Sequence, residues 1–520
     1  MSITFNGRRR TMHGERVAII GGGMGGLVAA LLLAARGLDV TVLERAATVG
    51  GKMRETVIAG RAIDAGPTVF TMRWVLDEIL AQAGALLEDH LTLVPAGILA
   101  RHAWGETARL DLHADIDASA DAIGAFAGAD AARGYRAFCE RARRAYAVLE
   151  PAFIRAARPT PLSVAFAGGL GAFRNVSPFT TLWRALGDHF KDPRLRQLFG
   201  RYATYCGCSP FHAPATLMLI AHVEQSGVWF VEGGIQRIAR MLRLLAEARG
   251  ATIRTGTPVA EILASGGRAT GVRLADGEVI ASDAVIANAD VAALAAGCFG
   301  AAAQRAVPLA GAAQRSLSAV TWAMLAEVEG FPLERHNVFF GDDSASEFAD
   351  LFDRARLPDS PTVYVCAQDR GADGDPAGQP ERLLCLVNAP PRGDRFKPDA
   401  TEVARCETKA FARLARAGLR LKTSPDHMVV TTPSGFEQLF PATGGALYGR
   451  TVHGWQASFQ RPGARTRLPG LYLAGGSVHP GAGVPMAAMS GRMAAERLMA
   501  DLASTRRFHR VAMPGGTPMG

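Results

Sequence analysis

Three glycines spaced Gly21-x-Gly23-x-x-Gly26 follow the β-branched run of residues 17–20 and open a long apolar stretch. The first glycine permits a tight turn, the second lets backbone amides approach a pyrophosphate at a helix N-terminus, and the third allows close helix–strand packing. Glu44 stands 23 residues after Gly21, where a carboxylate accepts hydrogen bonds from a ribose diol. The spacing predicts a dinucleotide site, and a glycine-rich turn without a ligand is the alternative.

Three further loops bear on which dinucleotide is bound, because the glycine motif alone does not separate NAD from FAD. Residues 50–52 (Gly-Gly-Lys) and 64–68 (Asp-Ala-Gly-Pro-Thr) form two tight loops soon after Glu44. Residues 471–486 have the pattern of a buried strand, a second glycine-rich loop and the start of a helix, whose N-terminus suits the flavin end of a long cofactor. Each loop alone is typical of an ordinary turn, whereas together they favour FAD.

The elements that must hold these loops follow from the hydrophobic pattern. A strand over residues 17–20, a helix over 27–35 and a strand over 39–43 make a βαβ unit. Residues 73–150 are predicted to be mostly helical with a short strand near 91–94, and further short strands are predicted between 252 and 287 and between 318 and 432. The predicted fold class is α/β, with a Rossmann-type FAD-binding domain, a mixed-sheet substrate domain and a helical membrane-facing region.

These patterns divide the chain into five stretches that alternate between the cofactor domain and the rest. The FAD-binding domain is predicted in three segments, residues 14–72, 233–295 and 446–505. Between them we predict a helical substrate and membrane-associating region, residues 73–232, and a mixed-sheet substrate domain, residues 296–445.

Composition limits the classes of protein that the chain can be. With 520 residues, of which 48% are hydrophobic and 20% charged, it is long enough for several domains and too apolar to be disordered. A net charge of +9 does not establish nucleic-acid binding, and none is predicted. Seven scattered cysteines without zinc-like spacing indicate a reducing compartment and no metal site. The uncharged run over residues 17–35 has the length of a membrane span, but its clustered glycines favour a strand, a turn and a helix.

The positive charge is concentrated in residues 133–201, which hold thirteen Lys or Arg and four Asp or Glu. An apolar stretch broken by Gly and Pro, residues 161–172, lies within it, with Phe173, Phe179 and Trp183 nearby. A basic segment flanked by aromatic residues suits a membrane interface. A solvated cationic helix face above a core is the equal alternative.

Nearly the whole chain, from residue 17 to about 502, resembles the FAD-dependent carotenoid desaturases of the bacterial phytoene-desaturase type. The matching stretches include VAIIGGGMGGLVAALLLAARGLDVTVLER, VGGKM, DAGPTVF, VIANAD and LYLAGGSVHPGAGVPMAAMSG. The block RYATYCGCSPFHAPATLMLIAHVEQSGVWFVEGG, residues 201–234, is most similar to the branch of 1-hydroxycarotenoid 3,4-desaturases, also called methoxyneurosporene dehydrogenases. The resemblance implies introduction of the C-3,4 double bond into 1-hydroxylated acyclic carotenoids by hydride transfer to FAD.

The resemblance also implies which residues bind FAD, motif by motif. Gly21, Gly23, Met24 and Gly26 are expected at the pyrophosphate, and Glu44 at the adenosine ribose. The remaining expected FAD contacts are Arg45, Gly51, Lys52, Gly66, Pro67, Thr68, Val259 through its backbone, and, near the flavin, Gly475, Gly476, Val484 and Met486. Lys52 takes a place often filled by Arg in the family, and a lysine lacks the bidentate guanidinium fork.

Desaturation removes a hydride and a proton from a CH–CH unit beside a polyene, which can delocalise positive charge. The protein must then mainly position the substrate and exclude water, which predicts a long apolar tunnel with few catalytic side chains. Candidates for proton transfer or for contact with the substrate hydroxyl are Glu224 and Glu232. Further polar candidates are His212, His222 and His479.

The predicted partners follow from a substrate that dissolves in lipid. They are the carotenoid, an anionic membrane surface contacted peripherally through residues 133–201, and oxygen or a quinone as electron acceptor. The predicted location is cytoplasmic, peripherally associated with the inner membrane. A phytoene desaturase, a carotenoid isomerase, an amine oxidase and a non-catalytic isoprenoid-binding protein of the same fold stay open as alternatives.

Overall fold

A computed structural model describes residues 15–168, 177, 179–308, 311, 314–371, 379–395 and 400–508. The strands in the described part are β1 (Arg16–Ile20), β2 (Asp39–Leu43), β3 (Glu55–Ile58), β4 (Arg61–Asp64), β5 (Phe70–Thr71), β6 (Leu93–Pro95), β7 (Ile98–Trp104), β8 (Ala108–His113), β9 (Val228–Val231), β10 (Thr252–Arg254), β11 (Val259–Ser265), β12 (Arg268–Leu274), β13 (Val279–Ala281), β14 (Ala284–Ala287), β15 (Ser318–Glu329), β16 (His336–Phe339), β17 (Val363–Ala367), β18 (Glu381–Ala389), β19 (Arg420–Lys422), β20 (Met428–Thr431) and β21 (Leu471–Leu473).

The α-helices in the described part connect and cover these strands. They are α1 (Met24–Ala34), α2 (Trp74–Gln82), α3 (Ile116–Ala127), α4 (Ala129–Leu149), α5 (Pro161–Gly168), α6 (Leu182–Gly187), α7 (Pro193–Gly200), α8 (Leu219–Gln225), α9 (Gln236–Ala248), α10 (Val291–Ala295), α11 (Gly300–Ala306), α12 (Ser344–Phe352), α13 (Ala400–Arg416), α14 (Pro433–Leu439) and α15 (Val484–Phe508). A π-helical turn, Glu150–Ile154, and several 3-10 turns connect them.

A five-stranded sheet in the order β10-β2-β1-β14-β21 holds the glycine motif, and all its strand pairs are parallel. Its central strands are runs of β-branched and apolar residues buried on both faces, which parallel sheets require. The predicted strands over 39–43, 284–287 and 471–473 are confirmed, and β1 starts one residue earlier than predicted. The sheet thus joins stretches of chain that lie more than 400 residues apart in sequence.

Helix α1 explains the uncharged run over residues 17–35. All eleven of its residues are buried, and it packs against α9 and α15 on one side of the parallel sheet. The run is therefore a strand, a turn and a core helix, as its glycines indicate. Among the described residues, none of the helices combines the length and the apolar character that crossing a bilayer requires.

A larger mixed sheet of eight strands lies beyond the parallel sheet, in the order β19-β15-β18-β17-β16-β7-β8, with β20 paired to β15. The short strand predicted near residues 91–94 is found as β6, but the prediction that the rest of residues 73–150 is mostly helical is wrong for residues 98–113, where the β7–β8 hairpin lies. Strand β16 joins this hairpin to the larger sheet. It pairs in parallel with β7, although the two strands lie more than 230 residues apart in sequence. Such long-range pairing is not visible in a local sequence pattern.

The helices between residues 116 and 225 form a separate aromatic core. Phe138 of α4 packs edge-on against Phe190 and tilted against Phe199 of α7, and all three rings are fully buried. The apolar stretch predicted over 161–172 begins as α5, while its remainder and Phe173 lie outside the described residues. This helical part covers one end of the cavity described below.

Candidate functional site

The glycine turn between β1 and α1 is closed by two tight approaches. Gly21 has φ +93, a conformation that favours glycine, and its carbonyl accepts a hydrogen bond of 3.0 Å from Nδ2 of Asn288. A methyl group built on Gly26 would overlap the carbonyl oxygen of Gly21. Gly23 precedes Met24, the buried first residue of α1, so the first-turn amides of this helix face the turn. These features make a cradle for an anionic group at a helix N-terminus.

Glu44 lies at the carboxyl end of β2, beside this cradle. Its carboxylate accepts hydrogen bonds from the amides of Gly22 at 2.7 Å and Ala46 at 2.8 Å. The side chain is buried, and its position at the strand end fits an acceptor for a ribose diol. The carbonyl of Glu44 accepts from the amide of Thr257 at 2.8 Å, which brings the backbone before Val259 to the same place.

The first and second glycine-rich loops meet in space. A Cβ atom built on Gly25 would lie 2.8 Å from the amide nitrogen of Gly475 and 2.8 Å from Oδ1 of Asn288. The Gly475 amide donates to Oγ of Ser490 at 2.7 Å, and a methyl group on Gly491 would overlap the backbone of Gly25. Helices α1 and α15 therefore cross closely at glycines, and the second glycine-rich loop lies against the first turn of α1.

The Gly50-Gly51-Lys52 loop packs on the cradle. The Gly50 amide donates to the carbonyl of Gly22 at 2.8 Å, and a Cβ on Gly51 would lie 3.2 Å from Cα of Gly23. Nζ of Lys52 donates to the carbonyl of Leu447 at 2.6 Å, and burial lowers the pKa of its ammonium group. Lys52 therefore points away from the first turn, toward the loop around Leu447.

Arg45 differs from the other expected cofactor residues in its position. It is exposed, and its Nη2 lies 3.0 Å from the carbonyl oxygen of Gln438 on α14. The structure shows no contact that would direct the Arg45 side chain into the cradle, whereas the neighbouring Glu44 lies beside the cradle.

The loop after β4 is fixed by an aspartate that the sequence analysis assigned no separate role. The Asp64 carboxylate accepts from the amides of Ile235 at 2.8 Å and Gln236 at 3.3 Å at the start of α9. The side-chain amide of Gln368 pairs with the Asp64 backbone at 2.9 and 2.8 Å. The following residues, 66–68, are held in this way against the mouth of a cavity.

A cavity of about 450 Å³ opens between the two sheets and the helical part. Gly66, Pro67 and Thr68 line it on one side, and residues 480–486, including Val484 and Met486, line it next to them. Most of the wall is apolar; Leu149, Phe153, Val164 and Phe459 line its outer end. The cavity is therefore an apolar chamber that reaches the loops expected to contact the flavin.

A polar cluster interrupts the apolar wall at the end formed by α8 and the turn over residues 201–206. Glu224 is 8% exposed, and its carboxylate accepts from Oη of Tyr202 at 2.8 Å and is also hydrogen-bonded to Tyr205. Nη1 of Arg201 lies 3.3 Å from Oη of Tyr205. Burial raises the pKa of Glu224, while the two tyrosines and Arg201 lower it. Glu224, Tyr205 and Arg201 all line the cavity.

A second polar chain starts at the cavity wall, where Thr68 and Tyr364 lie, and ends at His336 behind it; Tyr364 and His336 were not predicted from the sequence. Oγ1 of Thr68 lies 2.6 Å from Oη of Tyr364, which lies 2.7 Å from Nδ1 of His336. Burial lowers the pKa of His336 to about 3, so the imidazole is neutral. The three residues come from stretches that are far apart in sequence, and none belongs to a catalytic motif.

The other predicted polar candidates lie elsewhere. Glu232 is exposed on the turn after β9 and is not among the described residues that line the cavity. His212 is exposed beside His453, with 5.4 Å between ring centroids, and His222 is half-buried against Tyr146.

His479 is buried but does not face the cavity. Its Nε2 lies 2.8 Å from the carbonyl oxygen of Ala156, and its ring packs edge-on against Phe153. Of the predicted candidates for catalysis, the structure brings Glu224 alone to the cavity wall. In the described part of the chain, no three His, Cys, Asp or Glu side chains are grouped as a metal ion would need.

Comparison with known proteins places these features in a family. Residues 24–499 match the family model described as flavin containing amine oxidoreductase. A hydroxyneurosporene desaturase of Rubrivivax gelatinosus is 57% identical over 508 residues, 96% of this chain and 96% of that protein. One of Cereibacter sphaeroides is 48% identical over 495 residues, 95% of this chain and 99% of that protein. A solved putrescine oxidase variant shares the fold, with a TM-score of 0.58 and 16% identity over 94% of this chain and 99% of that chain.

Proposed function

Because the chain belongs to the flavin containing amine oxidoreductases, among the FAD-dependent bacterial carotenoid desaturases, we propose that it introduces the C-3,4 double bond into 1-hydroxylated acyclic carotenoids. It is an FAD oxidoreductase that desaturates a carotenoid. The bound flavin supplies the hydride acceptor for this chemistry. The chain's own residues bind the polyene, exclude water and receive the proton.

The polar cluster of Arg201, Tyr205 and Glu224 in the wall of a mostly apolar cavity is the observation that carries the proposal. A hydrocarbon substrate gains nothing from a buried carboxylate, whereas this one already accepts hydrogen bonds from two tyrosines in the wall. A tertiary hydroxyl at C-1 is a further donor that a carboxylate with free lone pairs can accept. Because C-3 is only two carbons from C-1, we expect a hydroxyl held by this cluster to bring the C-3–C-4 bond toward the loops of residues 66–68 and 480–486, which line the same cavity.

We assign FAD binding to the residues that form the cradle and its surroundings. Gly21, Gly23, Met24 and Gly26 are proposed to hold the pyrophosphate and Glu44 the ribose. Gly51, Lys52, residues 66–68, the backbone at Val259, and Gly475, Gly476, Val484 and Met486 complete the set. Residues 14–72, 233–295 and 446–505 are proposed as one FAD-binding domain, because all five strands of the parallel sheet lie within them.

The proposed reaction is tested by offering the purified holoenzyme 1-hydroxyneurosporene, neurosporene and phytoene in vesicles. Each double bond added to the polyene moves its absorption to longer wavelength. We expect conversion of the 1-hydroxylated substrate, and parallel incubations with oxygen and with a quinone identify the electron acceptor. Conversion of phytoene alone, or of none of the three, would contradict the proposal and favour a phytoene desaturase or a carotenoid-binding protein.

Replacement of Glu224 by Gln is expected to remove the preference for the hydroxylated substrate. Gln keeps the size of the side chain, but an NH2 group replaces one of the two carboxylate oxygens. That group cannot accept hydrogen bonds from the hydroxyls of Tyr202 and Tyr205, as the oxygen does. Hydrogen bonds to a charged group contribute about 1.5–3 kcal/mol, so kcat/KM for 1-hydroxyneurosporene should fall about 10- to 100-fold. The value for neurosporene should not fall.

The matched control is Glu232→Gln, which changes an exposed carboxylate in the same block of sequence. It should leave kcat/KM for both substrates unchanged. An equal loss on both substrates in Glu224→Gln would mean that the carboxylate supports the fold and does not recognise the hydroxyl.

We further propose that the enzyme docks peripherally on an anionic membrane through α5. Leu162 and Phe166 of this helix are 70% and 84% exposed, while Val164 and Ala165 of the same helix line the cavity. One helix therefore separates an outward apolar face from the chamber, which suits a substrate that enters from lipid. By contrast, Arg143 and Arg144 of the basic stretch pair with Glu140, which reduces the charge they offer to a bilayer.

The double variant Leu162→Ser/Phe166→Ser is expected to bind anionic vesicles at least about 10-fold more weakly. Full burial of a Leu or Phe side chain is favourable by about 1.5–3 kcal/mol, and insertion into the membrane interface provides a part of that free energy. Sedimentation with vesicles of phosphatidylglycerol measures the partition, and circular dichroism checks the fold. Charge reversal of Arg141, Arg143 and Arg144 should weaken vesicle binding less than the double serine variant does. Full retention of vesicle binding by Leu162→Ser/Phe166→Ser would rule out this surface.

A further inference from the structure

We propose that Tyr364 accepts the proton lost from C-3 of the substrate and passes its own hydroxyl proton to Nδ1 of His336. This inference deepens the proposed function and rests on it. It assigns the proton transfer to the hydrogen-bonded side chains of Tyr364 and His336 and not to the predicted candidates Glu224 and Glu232.

Tyr364 occupies the part of the cavity wall where the reacting carbons would lie. It belongs to β17, and its neighbours on β18, Leu384 and Leu386, line the same wall. Thr68, which lies 2.6 Å from its hydroxyl, belongs to the loop that borders the cavity beside residues 480–486. The Tyr364 hydroxyl is therefore held between the mixed sheet and the loops proposed to contact the flavin.

His336 is a buried imidazole in direct contact with Tyr364, and it is neutral before the reaction. It is 3% exposed, its ring stacks on Tyr364 with 6.1 Å between centroids, and Nδ1 lies 2.7 Å from the tyrosine oxygen. Burial keeps the pKa at about 3, so the ring is neutral at working pH. With its hydrogen on Nε2, Nδ1 offers a lone pair to the Tyr364 hydroxyl.

The proposed proton acceptor lies beside the proposed hydroxyl site. The guanidinium carbon of Arg201 is 5.4 Å from the ring centroid of Tyr205 and 5.3 Å from that of Tyr364. Arg201 therefore joins the Glu224 cluster to the Tyr364 chain. A substrate whose C-1 hydroxyl meets Glu224 places C-3, two carbons along, toward Tyr364.

The step balances with the hydride acceptor of the proposed function and no other reactant. Once the C-4–H bond has broken and its hydride has gone to that acceptor, the polyene delocalises the cation that remains, and the C-3–H bond then breaks. Its electron pair becomes the second bond of C-3=C-4, and the proton forms a new bond to Oη of Tyr364. The original Tyr364 O–H bond breaks, and that proton bonds to Nδ1 of His336, which becomes imidazolium. A carbocation is a strong acid, so even a weak, buried base suffices.

The test is Tyr364→Phe in the holoenzyme, with a substrate that the unmodified enzyme converts. We expect kcat to fall about 10²-fold or more, the range for loss of a general base, with KM and the flavin spectrum close to those of the unmodified enzyme. Deuterium at C-3 should slow the variant more than it slows the unmodified enzyme, because proton removal becomes rate-limiting. Tyr135→Phe, which removes a buried tyrosine hydroxyl away from the cavity, should leave kcat and the isotope effect unchanged.

His336→Asn provides a second variant that keeps a hydrogen-bonding group near Tyr364 but offers no basic nitrogen. We expect it to lose turnover and to show the same larger isotope effect. Unchanged kcat in either variant, or a lower kcat with an unchanged isotope effect at C-3, would overturn the inference. If the unmodified enzyme converts no 1-hydroxylated carotenoid, the proposed function itself has failed, which separates the two outcomes.

Discussion

Alanine at position 26 is expected to abolish FAD binding. A Cβ atom there would overlap the carbonyl oxygen of Gly21 and lie 3.0 Å from Nδ2 of Asn288, which fixes the same carbonyl. Neither backbone nor Asn288 can yield without moving α1 away from β1, and the amides that face the pyrophosphate move with the helix. Overpacking costs about 1–3 kcal/mol where the clash is with side chains, so FAD should bind about 10²-fold more weakly or not at all.

Titration of the Gly26→Ala apoprotein with FAD, followed by flavin fluorescence, measures this effect. Gly97→Ala is the matched control, because Gly97 is exposed and a methyl group there meets no atom within 4 Å. The control should bind FAD as the unmodified protein does. Equal FAD affinity in the two variants would show that the turn between β1 and α1 does not contact the cofactor.

The parallel sheet was predictable because most of its strands carry their own signal in the sequence. Residues 39–43, 284–287 and 471–473 are short, mostly apolar runs, and a turn or loop with glycine, asparagine or acidic residues follows each of them, as is typical of buried parallel strands. The convergence of the two glycine-rich loops followed from the same signal. Asn288, which ties these loops together, was not predicted, because its role depends on a carbonyl 267 residues away.

The mixed sheet and the cavity were harder to predict because their contacts are long-range. The β7–β8 hairpin joins the sheet through β16, and the Thr68–Tyr364–His336 chain joins three separate stretches. Neither of these long-range contacts produces a periodic pattern or a motif in the sequence. The two glutamates of the block 201–234 likewise could not be told apart from the sequence.

Glu224 and Glu232 are only eight residues apart, and residue type did not distinguish them. Glu224 lies on α8 and faces Tyr202, whereas Glu232 lies beyond β9 on a turn and is exposed. The direction in which each side chain points depends on the packing of α8 against α4, which sequence alone does not specify.

Arg461→Met is expected to destabilise the protein and weaken FAD binding together. The Arg461 guanidinium is 8% exposed and donates to the carbonyls of Gly476 at 3.0 Å, Tyr448 at 3.0 Å and Arg450 at 2.8 Å. It therefore fixes the loop proposed to contact the flavin to the loop around Tyr448. Each buried carbonyl left unpaired costs about 1–3 kcal/mol, so three of them should lower the free energy of unfolding by about 3 kcal/mol or more.

A positive charge alone at position 461 should not restore stability and FAD binding, because three carbonyls need a donor. Arg461→Lys keeps the cation, but an ammonium group on a single stem lacks the planar fork that reaches three acceptors, so it should recover only part of the loss. Arg184→Met removes an exposed guanidinium and should change the free energy of unfolding by no more than about 0.5 kcal/mol. Urea unfolding and FAD titration of the three variants measure both quantities. If Arg461→Met matched Arg184→Met in both, the two loops would be held together by packing, and the buried guanidinium would contribute nothing to the flavin site.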